Sequence, residues 1–353
     1  MQSTAHEDRA IEDRLAEVSA LSVTPAAAMF HTLLDASHGL PPEYRHGLSN
    51  HLPMALQALH AMGASPQRML DFYAGYARRF EAGARARSAA PVPDWLALRG
   101  ASESNPQAYP ALVASFERML KHEGELAVLR RVLPDLLPGI AAAAFHGVIR
   151  TAHAVEAGHR AELAHALAYW AWQWQALPAA PPVEAALSFE VWRDRLVEDA
   201  AGERLAAPLI SLRMGMATQT PTYRSLGAGL GPEPELLRRL TGLALERYLA
   251  SRNFTVLHMI TGLRALRVLL PWVADASALQ PLLVRAFVAA YLAGQVKPIE
   301  SPGPLPALGW QAVTEAAIAS DDDHVIKLVH ACREEFAVYG DPRYLDAATL
   351  AVS

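Results

Sequence analysis

Asp321-Asp322-Asp323-His324-Val325-Ile326-Lys327-Leu328-Val329-His330 reads as the start of a helix with a polar stripe turned inward. Aspartates suit the beginning of a helix, where the first backbone N–H groups lack partners. A three-residue spacing puts His324 and Lys327 on one face, and the apolar pair between them points that face toward a core. A buried lysine is costly unless it is paired, neutral or chemically modified. Its neutral amine is also the form that takes up carbon dioxide to become a carbamate, an anionic oxygen ligand for a metal. On helix pattern alone the alternative is a surface lysine laying its stem along the helix.

The same spacing of three and four recurs through 51–62, 67–80, 110–120, 140–156, 161–175, 234–250, 254–270, 281–293, 310–319 and 323–338. Alternating β-branched runs bounded by tight turns are almost absent. The expectation is an all-α protein, a single large helical domain of about ten helices over 25–353 with a metal site in its core. Residues 1–24 are expected to form a helical or flexible extension. Gly63 is placed to end the first long helix. Pro91-Val92-Pro93 and Pro302-Gly303-Pro304-Leu305-Pro306 read as loops, and Pro181-Pro182 breaks the chain after the tryptophans at 170–174. The stretches 84–108, 176–186 and 214–233 look irregular, the last being long enough for a lid or surface loop.

With 353 residues, 52% of them hydrophobic and only 19% charged, the chain can bury a large core. A net charge of −5 without a Lys/Arg run argues against a nucleic-acid partner. No positively flanked apolar segment opens the chain, so no signal peptide is read there. The most apolar stretch, 265–294, is interrupted by Arg267, Pro271, Asp275 and Arg285 and is not an ordinary membrane span. A lone cysteine, Cys332, excludes an internal disulfide and fits the cytoplasm.

Fourteen histidines offer the chemistry. His6, His38, His46, His122 and His159 sit among polar neighbours or turns and read as surface or cap residues. His51, His146 and His258 lie in apolar helical runs, and with His324 and Lys327 they are read as converging on one metal. His60, nine residues beyond His51, falls on the opposite face and reads as structural. His153 shares the His146 face but lies about 10.5 Å further along the axis, too far for easy ligation beside it; it reads as an outer partner or a substrate-facing residue. His330 diverges from His324 by roughly 240° around their helix.

Other motifs fail. Glu156-x-x-His159 and Glu162-x-x-His165 match carboxylate-bridged di-iron spacing, but that architecture needs the two on facing helices. Gly227-Ala228-Gly229-Leu230-Gly231 follows no strand, so it is not a dinucleotide fingerprint. No nucleophile elbow is present.

Four blocks together resemble the questin oxidase-like family: Asn50–Pro66, Phe145–Arg150 with Ala166–Trp170 downstream, Phe254–Thr261, and Asp323–Lys327. They occur in the family's order over about residues 25–340. The resemblance implies an all-helical oxidase with non-haem iron, its members including enzymes that oxidatively open an anthraquinone ring. Carried onto this chain, the implied ligands are His51, His146, His258 and His324, with Lys327 as a carboxylated lysine. The run after His258 is less polar here than is usual in the family, and the fungal members are longer.

Imidazoles with one anionic oxygen suit Fe(II), and would also accept Mn, Co or Zn. The implied partners are O₂ and a small aromatic or quinone-type substrate, with no nucleic acid and no membrane. Some family reactions draw on NADPH, but no nicotinamide or flavin motif is visible, so a reductant would act on a free quinone or through a partner. Asp323 or an adjacent aspartate is expected to orient a ligand; Trp170, Trp172, Trp174, Phe145 and Tyr169 are candidates to line a flat apolar pocket, although aromatics at such spacing are more often core. Two other readings stay open: a zinc hydrolase on the same residues, and a non-catalytic helical protein that binds an apolar ligand with its histidines in the core.

Overall fold

Thr24, Ser65, Ser188, Thr220, Asn253 and Asp322 each accept a hydrogen bond from a backbone N–H in the first turn of the helix that follows. These caps satisfy donors the helix cannot satisfy itself, and they fix where the helices begin. The computed structural model describes residues 24–45, 47–80, 88–105, 107–297 and 305–353. The expected extension before residue 24, His6, His46 and the Pro302–Pro304 part of the expected loop lie outside the described residues.

The described residues form sixteen α-helices and several 3₁₀ turns. The only sheet among them is an antiparallel hairpin, Glu43–Tyr44 against Leu48–Ser49. The all-α class is thus observed, with more and shorter helices than the ten expected. Pro25–Ser37, Glu125–Leu136, Phe189–Ala200, Ile210–Ala217, Pro221–Leu226 and Arg343–Val352 are the additional ones. One holds an internal proline, Pro134, and others span too few turns for periodicity to stand out. The 214–233 stretch corrects the expected lid or loop. Thr220 caps a short helix there, and Gly227 and Gly229 fit so closely that an added Cβ would lie 2.7 Å from the Tyr223 carbonyl and 2.8 Å from that of Ser225. Both short helices of this stretch pack on Gln280–Gly294.

Four helices frame the middle of the molecule. Leu52–Ala61 packs on His146–Ala157, which packs on Phe254–Leu269, which packs on Asp323–Tyr339, which returns to Leu52–Ala61. Their contacts belong to one hydrophobic cluster that also holds Trp170 and Trp192, both fully buried. Removing a large apolar side chain of this kind from water contributes about 1.5–3 kcal/mol. Gly147 is required by that packing, since a Cβ would sit 2.6 Å from the Trp170 ring. Phe254–Trp272 and Ala276–Gly294 are long and apolar enough to cross a membrane, but 72% and 61% of those windows are buried inside the protein. The first also buries His258 and Arg264.

Candidate metal centre

The four framing helices each present a histidine near their first turn. His51 immediately precedes Leu52, His146 opens its helix, His324 follows Asp323, and His258 lies one turn inside. The start at His146 comes from three consecutive residues with left-handed backbone, Ala143, Ala144 and Phe145, at φ of 47°, 54° and 68°. Each costs roughly 1–2 kcal/mol for a residue with a Cβ. This turn replaces the continuous helix expected over 140–156, and it aims the Ala143 carbonyl at His146. Phe145 is seated against Gly262, where an added Cβ would come within 2.9 Å of its ring.

The four imidazoles form a closed circuit. Ring centroids are 4.6 Å apart for His51–His146, 5.1 Å for His146–His258, 5.4 Å for His258–His324 and 4.8 Å for His324–His51. Each Nδ1 has an oxygen beside it. His146 Nδ1 donates to the Ala143 carbonyl, and His258 Nδ1 donates to the Phe254 carbonyl at 2.8 Å. His51 Nδ1 pairs with Asp323 Oδ2 at 2.5 Å. His324 Nδ1 lies 3.3 Å from the same oxygen. A carbonyl or carboxylate oxygen can only accept, so the proton sits on Nδ1 and the lone pair on Nε2.

The consequence is a set of bare Nε2 atoms. Those of His51 and His146 face each other at 2.6 Å, which is repulsive for two lone pairs unless a cation or proton stands with them. His324 Nε2 is buried without a partner. Burial, joined by the nearby Lys327 charge, pushes the His51 imidazole down to about 3. Burial, with the neighbouring histidines, also holds His146 and His258 well below the ordinary range. Neutral imidazoles with Nδ1 anchored and Nε2 free, as at His51, His146 and His258, are the donor set a transition metal takes, so these residues fit a bound ion.

Asp323 anchors the set. It is 1% exposed and takes Arg79 Nη1 at 2.6 Å in addition to His51. Burial would raise its carboxyl, but the His51 hydrogen bond and the neighbouring cations hold it well below the usual range. Ligand atoms of His51, Asp323 and His324 all fall within 4.8 Å of one another. Lys327 is 3% exposed, with Nζ 3.8 Å from Asp323 Oδ2. Burial lowers its ammonium to about 8 against the opposing pull of Asp323. It is therefore buried and paired, not a surface lysine.

A cavity of about 630 Å³ opens onto this circuit, and His51, His146, His258 and His324 line its floor. Phe254, 52% exposed, lies against the rings of His258 and His324. Pro208, Leu209, Ile210 and Leu212 give the cavity an apolar part of its lining, and Glu43, Ser49 and Gln173 also border it. The expected aromatic lining is corrected here: Trp170, Trp172, Trp174, Phe145 and Tyr169 are not among the cavity residues. They are packing residues instead, Trp170 donating its indole N–H to the Gly139 carbonyl.

Several other histidines lie away from the cavity, and the Nδ1 of one of them, His330, is also buried without a hydrogen-bond partner. His60 stacks on Phe30 at 4.5 Å. His153 Nδ1 meets Gln57 Oε1 at 2.6 Å, and its ring lies 5.4 Å from that of His330; neither borders the cavity. His38, His159 and His165 gather round Glu162, which accepts from Arg150 and pairs with His38 Nε2 at 2.9 Å. Glu156 pairs with Arg264. Both carboxylates of the apparent di-iron spacing thus serve buried ion pairs. Sequence reading missed Arg79 and Tyr76. The latter's hydroxyl accepts from the His51 backbone N–H at 2.8 Å, and nothing near residues 76–79 signals a role 244 positions away.

A family model described as Questin oxidase-like matches residues 48–208. That span holds His51 and His146 and stops before His258 and His324. No curated protein matches the chain.

Proposed function

We propose that this chain, questin oxidase-like over residues 48–208, is an oxidoreductase that acts on a small aromatic or quinone-type molecule with the help of non-haem iron. The observation that carries this reading is the anchoring of each Nδ1 beside an oxygen, with His51 and His146 Nε2 facing at 2.6 Å and His324 Nε2 unpartnered. His51, His146, His258 and His324 would hold the ion. Iron bound there supplies one-electron and O₂ chemistry that amino-acid side chains lack. The finer proposal is O₂-dependent oxidation of the ring, with ring opening as its outcome.

The chain's own residues divide the remaining work. Asp323 fixes the His51 tautomer, and the Ala143 and Phe254 carbonyls fix those of His146 and His258. Lys327, buried and lowered to about 8, holds more neutral amine at neutral pH than a surface lysine, which favours carbamate formation and an anionic oxygen within the cluster. Pro208, Leu209, Ile210, Leu212 and Phe254 offer a flat guest an apolar surface beside the imidazoles.

Elemental analysis of untagged protein tests the reading, with His146→Ala and Lys327→Ala beside the wild type. Near-stoichiometric iron that both substitutions remove is the expected result, followed by O₂ consumption with a quinone or phenol panel. Zinc at one equivalent with no O₂ uptake would turn the assignment to a hydrolase. Failure to hold any metal after anaerobic loading with Fe(II) and bicarbonate would overturn it.

A further inference from the structure

The lining of the cavity also holds a polar group that the metal reading does not use. The hairpin just before His51 pairs Glu43 with Ser49 in register, and both side chains border the cavity together with Gln173. Tyr169, behind them, has its hydroxyl 2.7 Å from Ser49 Oγ and donates to Glu43 Oε1 at 3.1 Å. Gln173 Nε2 donates to the same Oε1 at 2.6 Å. Two donors therefore converge on one carboxyl oxygen, and no Lys or Arg is paired with it among the described residues. Burial raises the carboxyl, the Tyr169 hydrogen bond opposing.

A carboxyl group held in this way has a second oxygen to offer. When neutral it donates to a carbonyl, and when ionised it accepts from a hydroxyl. We infer that Glu43 is a specificity-determining residue, orienting an oxygen-bearing aromatic guest by a hydrogen bond to its hydroxyl or carbonyl group while the ring lies toward the histidines. Ser49, Tyr169 and Gln173 are positioning residues that hold the carboxyl in place. This inference rests on the proposed aromatic substrate but not on the metal. A site built to pair an oxygen substituent rejects the analogue lacking it, because its own polar groups are then left unpaired.

The test compares binding of 2-naphthol and naphthalene to the full chain, with metal content read on the same samples. Wild type is expected to prefer 2-naphthol by about tenfold or more, the magnitude of one buried hydrogen bond. Glu43→Leu should lose most of that preference, and Glu43→Gln, which keeps an acceptor and a donor at the same place, should retain part of it. Circular dichroism confirms that each variant is folded. An unchanged preference in Glu43→Leu, or none in the wild type, would overturn the inference. Protein without metal but with a Glu43-dependent preference would sink the iron reading and keep this one. Full metal with no dependence on Glu43 would do the reverse.

Discussion

Two clusters in this molecule gather several histidines each, and they are built for opposite ends. Around Glu162, every ring nitrogen that the structure pairs has a partner within the protein. His38 Nε2 meets Glu162 at 2.9 Å, His159 Nδ1 accepts from the Glu162 backbone N–H at 3.1 Å, and His165 Nδ1 meets the Tyr109 hydroxyl at 2.9 Å. At the cavity floor the Nδ1 atoms of His51, His146 and His258 are hydrogen-bonded to oxygens, while the Nε2 atoms of His51 and His146 face each other and that of His324 is without a partner. Both clusters are polar and packed into a core. Histidine density is therefore a poor marker of a site; the telling feature is which way the second ring nitrogen of each histidine is turned. One cluster closes on itself through hydrogen bonds, and the other turns ring nitrogens toward a shared centre.

The largest effect expected from this contrast lies in the closed cluster. Glu162→Ala leaves Arg150, 4% exposed, as an uncompensated buried charge and should cost about 3–5 kcal/mol of stability, read by chemical denaturation, without changing bound metal. Burial would raise the Glu162 carboxyl, but Arg150 and His38 outweigh it and hold the group far below the ordinary value. A depressed folded pKa means that this stabilisation is complete above the unfolded value near about 4.3. It is lost as pH falls below that value toward the folded pKa. The wild type should lose stability in acid more steeply than the variant. A parallel acid profile in the two proteins would refute the pairing.

In the open cluster the comparison is sharpened by Asp323→Asn, which keeps the shape but removes the carboxylate that orients His51. Metal affinity should fall about 10–100-fold, read by competition with a coloured chelator, while circular dichroism stays unchanged. The smallest effect is expected of His165→Phe. It preserves the stack on His38, whose centroid lies 4.1 Å away, and loses one hydrogen bond, so stability should drop by about 1 kcal/mol with metal content untouched. If His165→Phe instead released metal, the division between the clusters would fail.

How much of this could be read in advance depends on the range over which each feature is encoded. The helical class is local, written as spacings of three and four, and so were the apolar settings of His51, His146 and His258. A spacing of six residues between the glutamates sets the Glu-x-x-His motifs aside in the sequence, yet Glu156 and Glu162 stand on two helices packed together. The arginines that take both carboxylates, which only folding brings there, are what remove them from metal binding. The left-handed turn at Ala143–Phe145 was hidden because alanines favour helix, and only packing of Phe145 against Gly262 makes another backbone worthwhile. Arg79 and Tyr76 reach the site through folding alone. The aromatic run from Tyr169 to Trp174 pointed to a pocket by composition, yet helix packing turned it into the core. Glu43 gave no signal, because a two-residue strand carries no periodicity.

One feature of the floor, the meeting of four helix beginnings, also sets its electrostatic potential. Each helix start carries about half an elementary positive charge from its aligned peptide dipoles. Four of them around one centre together rival the charge of a divalent ion. Such a field disfavours a bare cation, so a metal held here would need negative charge close by. Asp323 supplies one such charge, and a carbamate on Lys327 would supply another. Beyond these, the cavity should prefer guests that arrive as anions, a phenolate over its phenol, before any bond in them is touched.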